Sequence, residues 1–255
     1  MTIVTGPAQG ALTELKISQE GAKRFLVGLS WDPPELPGVK VKLAEGPDDN
    51  AVSRVAHTLY APFEFLRVFF LSFANLITFD MFAKRLRKGE DKAGRDKTSD
   101  AYDLDLCCYI FDADFLLKAV VETENDALFD PSRKVYHTGE DQGGMGGGDD
   151  EVVYVETTGL PHEYAHLFFV VKSDSKYDLS QFINPSVRLA DSKTGANNLQ
   201  NKIAGPGKYN YVFCRVSRAG TGWQVQNIDT CVDEDIEWAL VLPNLGRASA
   251  SPARR

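Results

Sequence analysis

The 255 residues are 43% hydrophobic and 25% charged, the balance of a soluble globule, either one domain or one domain carrying a large insertion. A formal net charge of −8 and a pI near 5.1 argue against nucleic acid as a general partner, which requires Lys and Arg clustered over a broad face, and suit cations instead. A chain of this length can bury roughly 70 to 75% of the surface it exposes when unfolded, so its core needs no disulfide or metal in order to form.

The opening Met1-Thr2-Ile3-Val4-Thr5-Gly6 has neither a basic n-region nor an apolar h-region, which predicts a cytoplasmic protein. Two strand-like stretches follow, around Thr13 to Ser18 and Arg24 to Ser30, and Pro33, Pro34 and Pro37 then stop regular structure. Residues 45–100 change character and read as a helical insertion. Leu59, Phe63, Leu66, Phe70, Phe73, Ile77 and Met81 recur at helical spacing, and Pro62 is well placed near a helix start. The spacing predicts one helix over 59–82, of about six turns. Its longest uncharged stretch, Val68 to Phe79, is well short of the ~20 apolar residues that a bilayer requires. Phe65, Phe69 and Leu76 add apolar surface off the main stripe, so the helix is expected to pack within the protein or against a protein partner or second copy. Contact with a membrane surface through the Lys84 to Lys88 cluster is the less favoured reading.

From Tyr102 onward the texture is β. Short apolar or alternating runs at Leu106–Phe111, Leu116–Val121, Glu151–Glu156, Leu167–Lys172, Ser186–Ala190, Tyr209–Ser217 and Trp223–Ile228 are separated by Gly, Pro, Asn and Asp clusters. Repeated short strands with turn signals point to a sandwich or Greek-key sheet pair. Glu234 to Leu242 reads equally as a strand or a short helix, and 246–255, small residues with three arginines, as a flexible tail. Cys107 and Cys108 are adjacent in a strand, where neighbours point to opposite faces. With Cys214 and Cys231 they read as reduced, mostly buried thiols.

The densest chemical signal is His137-Thr138-Gly139-Glu140-Asp141-Gln142-Gly143-Gly144-Met145-Gly146-Gly147-Gly148-Asp149-Asp150-Glu151. Its glycines let the backbone fold tightly and direct carbonyls and carboxylates to one point, where a hard cation would relieve the repulsion. Asp103 and Asp105 lie two apart in an extended run, which puts both carboxylates on one strand face. Asp112 and Asp114 repeat the spacing but follow the strand and read as turn caps.

Three stretches carry a resemblance: Phe25-Leu26-Val27-Gly28-Leu29-Ser30-Trp31-Asp32, Tyr102-Asp103-Leu104-Asp105, and above all His137 to Glu151 running on through Val155. Together they resemble the markers of the TerD family, over residues 13–32 and 101 to about 217. The resemblance implies a compact β-sandwich, over 1–44 and 101–245 with 45–100 as an insertion, that binds Ca2+ through acidic loops in proteins of tellurite resistance and general stress response. Carried over by position, the implied ligands are Asp103, Asp105, Glu140, Asp141, Asp149 and Asp150, with Asp174 where the family often has an acid and Asn184 as a weaker candidate. Glu140-Asp141 replaces the family's Asp-Asn, and Gly143 its Thr, changes that bear on affinity and on the number of ions held.

His162-Glu163-Tyr164-Ala165-His166 matches the H-E-x-x-H of zinc peptidases letter for letter, but Gly159 and Pro161 before it and Leu167 to Val171 after it leave no room for the helix that the motif requires. An EF-hand is excluded for want of D-x-[DN]-x-[DN]-G, and no G-K-[ST] follows the glycines to form a P-loop. The sequence reading is therefore a non-catalytic calcium-binding module. Its alternative is a structural component of a larger assembly, a phage particle or membrane-associated complex, that docks through the 59–82 helix.

Overall fold

The computed structural model describes residues 7–32, 102–123, 127–138, 148–173, 177–233 and 236–248. The segment 45–100, with the helix expected over 59–82, the residues Glu140, Asp141 and Asp174, and residues 249–255 lie outside them.

Eleven strands, one α-helix and a single 3-10 turn at Leu179–Gln181 follow among the described residues, the strands and α-helix in chain order being β1 Leu12–Glu14, β2 Arg24–Asp32, β3 Asp105–Phe111, β4 Leu117–Val121, β5 Val135–His137, β6 Glu151–Glu156, β7 His166–Lys172, β8 Ile183–Asp191, β9 Asn197–Lys202, β10 Asn210–Ala219, β11 Gly222–Val232, and α1 Trp238–Ala248. They form a six-stranded sheet in the order β1-β11-β10-β7-β3-β4 and a five-stranded sheet in the order β5-β6-β2-β8-β9. Every pairing is antiparallel, so the protein is mainly β, as the turn-punctuated runs predict.

The side-chain period of two explains how the sheets meet. On β2, Phe25, Val27, Leu29 and Trp31 point into the main core, while Leu26, Gly28 and Ser30 face away. On β3 and β7 both faces are covered, so both strands read as nearly unbroken apolar runs. Leu106, Cys108 and Ile110 of β3 and Leu167, Phe169 and Val171 of β7 join the core between the sheets. Cys107, Tyr109 and Phe111, with Phe168 and Val170, form a second cluster on the outer face, closed by Leu242 and Leu245 of α1. Burying each such side chain contributes on the order of 1.5 to 3 kcal/mol. Adjacent Cys107 and Cys108 thus point into different clusters, and all four cysteines are unbridged.

Three sequence expectations change. The ambiguous 234–242 segment is helical from Trp238, whose indole lies 5.5 Å from the Tyr109 ring. The helix continues through Gly246, Arg247 and Ala248, the first residues of the supposed tail, because Leu242 and Leu245 on one helical face have an apolar sheet face to cover. The first strand is shorter than Thr13 to Ser18, since its pairing with β11 ends at Glu14.

Candidate functional site

Strand directions bring the implied acidic positions that are described, Asp103, Asp105, Asp149 and Asp150, to one end of the two sheets. The end of β2 meets the start of β6 through the pair Leu29–Glu151 and the start of β8 through Asp32–Ile183, and the start of β3 meets the end of β7 through Asp105–Lys172. Glu151, 1% exposed, points inward from the five-stranded sheet and accepts a 2.5 Å hydrogen bond from the Leu106 backbone N–H of the other. The same oxygen lies 3.4 Å from His137 Nε2. A buried carboxylate therefore ties the sheets together at the acidic end, and a charge-assisted bond of this kind is about twice as strong as a neutral one.

The predicted ligands take different local roles. Asp150 is buried: its backbone N–H donates to the Leu29 carbonyl at 2.7 Å, and its Oδ2 accepts from the Trp31 N–H at 2.9 Å, which pins the start of β6 to the end of β2. Asp105 is buried and accepts from Thr123 Oγ1 at 2.7 Å. Asp103 is half-buried, and its Oδ1 accepts from the Leu104 N–H. Leu104, between them, is fully buried in the core. Asn184, with φ +50°, donates to Asp32 at 2.6 Å.

Asp149 points elsewhere. Both its oxygens accept from Arg188, at 2.8 and 3.1 Å from Nε and 2.6 Å from Nη2, on the outer face of the five-stranded sheet beside Gly28. Adjacent residues of an extended segment face opposite ways, so Asp149 and Asp150 serve different surroundings. Sequence reasoning missed Arg188, Thr123 and the cross-sheet role of Glu151. Only Glu151 left a signal, as the last acid of the loop.

Carboxylates are the oxygen donors that calcium takes, roughly six to eight oxygens in all. Among the described residues, however, no three His, Cys, Asp or Glu side chains come together as a metal-holding group. A complete shell would have to draw oxygens from beyond them.

The zinc-peptidase pattern dissolves. Pro161 to Tyr164 is a turn, His162 is exposed, and His166 begins β7, where its Nδ1 lies 2.9 Å from Ser217 Oγ and its ring stacks on Phe115 at 4.3 Å. Burial, reinforced by the Arg215 charge, lowers the His166 pKa to about 4.

The TerD domain model matches residues 85–240, well over half of the chain. The chain belongs to the TerD domain family. The match extends past residue 217 through β10 and β11 into the start of α1, and does not include 13–32. A tellurium resistance protein TerX from Serratia marcescens is 23% identical over 159 residues, 54% of this chain and 75% of that protein. A solved structure of a protein of unknown function, SAV2460, superposes with a TM-score of 0.53 at 18% identity, covering 88% of this chain and 98% of that one, which supports the fold. A homologue of the telluride resistance protein TerD from Streptomyces coelicolor A3(2) gives a TM-score of 0.49 at 15% identity over 91% of this chain and 100% of that one. No helix among the described residues is long and apolar enough to cross a membrane.

Proposed function

We propose that this TerD-domain chain is a non-catalytic, calcium-responsive binding module of the tellurium-resistance and stress type. The observation that carries the reading is that the strand ends bearing Asp103 and Asp105 on one sheet and Asp150 and Glu151 on the other lie at the same end of the two sheets, where Glu151 joins them. Calcium at that end would take carboxylate oxygens from one or two of Asp103, Asp105 and Asp150 and the rest of its shell from outside the described residues, and would offset the carboxylate repulsion. Asp149 is reassigned from ligand to counter-ion of Arg188. The non-catalytic part of the proposal is supported by the surroundings of the nucleophile-type side chains. Cys107, Cys108 and Cys214 are fully buried, and burial pushes each thiol well above its ordinary value, away from the reactive thiolate.

The test is a thermal melt of metal-stripped full-length protein with and without millimolar calcium, beside Asp103→Asn/Asp105→Asn. Saturation at a hundredfold excess over Kd stabilises by about 2.7 kcal/mol, a rise of several degrees. That rise, lost in the double variant, is expected. An unchanged melt of the wild-type protein would overturn the calcium reading.

A further inference from the structure

The outer face of the six-stranded sheet holds, under the last turn of α1, two polar side chains, Arg215 and Gln226, with buried atoms that have no hydrogen-bond partner among the described residues. Arg215 on β10 is 8% exposed and takes part in no hydrogen bond or ion pair among the described residues. Burial lowers its pKa, and no carboxylate opposes that effect. Its cross-strand partner on β11, Gln226, is 0% exposed, and neither its amide nitrogen nor its oxygen has a hydrogen-bond partner among the described residues. Two residues along β10, Ser217 is 8% exposed and bonds His166.

Around them the geometry is unusual. Phe115 sits at φ +63°, a region that bulky L-residues rarely enter and that recurs at functional sites. One ring holds several groups at once: His166 stacks on it, the Arg247 guanidinium lies 4.7 Å from its centroid, and that of Arg215 5.9 Å. Gly246 lets the helix backbone approach, since a Cβ there would stand 2.9 Å from Arg215 Nη1. Asp112, whose charge acts on His166, is engaged with Lys118 at 2.8 Å. A guanidinium whose Nε is buried without a partner and which faces no anion among the described residues is costly, and its fork of five donors matches the oxygens of a phosphate or carboxylate.

We propose that this cluster binds a small oxyanion of the phosphate type, held by Arg215 and Gln226 with Ser217 as a further donor and the exposed Arg247 at the rim. When His166 carries its proton on Nδ1 it donates to Ser217 Oγ, which leaves the hydroxyl proton for the anion. The site is distinct from the acidic end. Arg215 lies opposite Phe168, four residues along β7 from Lys172, which pairs with Asp105.

Calorimetric titration of the full-length protein with inorganic phosphate, in the presence of a calcium chelator, tests this independently of the calcium reading. One phosphate per chain is expected, with affinity about tenfold weaker in Arg247→Ala, the loss of one charged contact. Binding is expected to vanish in Arg215→Met, a variant that should melt no lower than the wild type because a buried unpaired charge is gone. Bound phosphate should also raise the His166 titration midpoint in a 15N NMR series. Absence of binding up to about 10 mM phosphate, weaker than any useful single-site contact, overturns the proposal. So does affinity unchanged in Arg247→Ala, and this rim variant decides the matter if Arg215→Met does not fold.

Discussion

The Asp149 carboxylate fills the space that a side chain on Gly28 would need. Even Oδ1, the farthest of its three terminal atoms, would lie 2.7 Å from a Cβ built on that glycine, and the same carboxylate is clamped by Arg188. Glycine is thus required in the middle of β2 by a close approach rather than by its own backbone freedom. Gly28→Ala must displace Asp149 and break its bidentate pair, which is expected to cost about 1 to 3 kcal/mol. Urea unfolding measures it directly, and a midpoint unchanged from the wild type would show that Asp149 moves aside freely.

The two neighbouring aspartates should separate in experiment. Asp149→Asn removes the counter-ion of Arg188 and should lower stability by about 1 kcal/mol, the scale of a partly exposed pair, while leaving any calcium-induced rise in melting temperature intact. Asp150→Asn should diminish that rise. Melts of both variants with and without calcium check this, and an equal loss of response in the two would return Asp149 to the ligand set.

How much of this was legible in the sequence depended on which faces are buried. β3 and β7 stood out as apolar runs because a sheet covers one face and α1 the other. β9, Asn-Asn-Leu-Gln-Asn-Lys, is an edge strand with only Leu199 and Asn201 buried, and its composition resembles a loop. β5, three residues long, is too short to show a period. The acidic end was legible because Asp103, Asp105 and the 137–151 loop are local patterns. The Arg188–Asp149 pair joins residues 39 apart in the chain and leaves no mark on either segment. Arg215 sits within the apolar Tyr-Val-Phe-Cys-Arg-Val run, and its isolation under α1 emerges only once β10, β11 and the helix are brought together.

His166 gives a pH dependence with a definite sign. Its pKa falls from 6.5 to about 4 on folding, so between those values the unfolded chain binds a proton that the native one does not. Native stability is therefore expected to decline as pH drops from about 6.5 to about 4. His166→Asn should flatten that part of the profile, as measured by denaturant midpoints at closely spaced pH. An identical slope in the two proteins would mean that the histidine titrates equally in both states.

Thiol chemistry should divide the four cysteines unequally. Cys107, Cys108 and Cys214 are fully buried in two packed clusters, and burial pushes each thiol well above its ordinary value. Cys231, partly exposed with its Sγ 3.4 Å from the Ala204 carbonyl, is raised mainly by burial, with Asp229 adding to the effect. Because the thiolate is the reactive form, a disulfide reagent at neutral pH should modify Cys231 slowly in native protein and the other three only on unfolding. Cys231→Ser should then leave native protein unreactive, and rapid labelling of Cys107 would show that α1 lifts from the outer face of the six-stranded sheet on the timescale of the reaction.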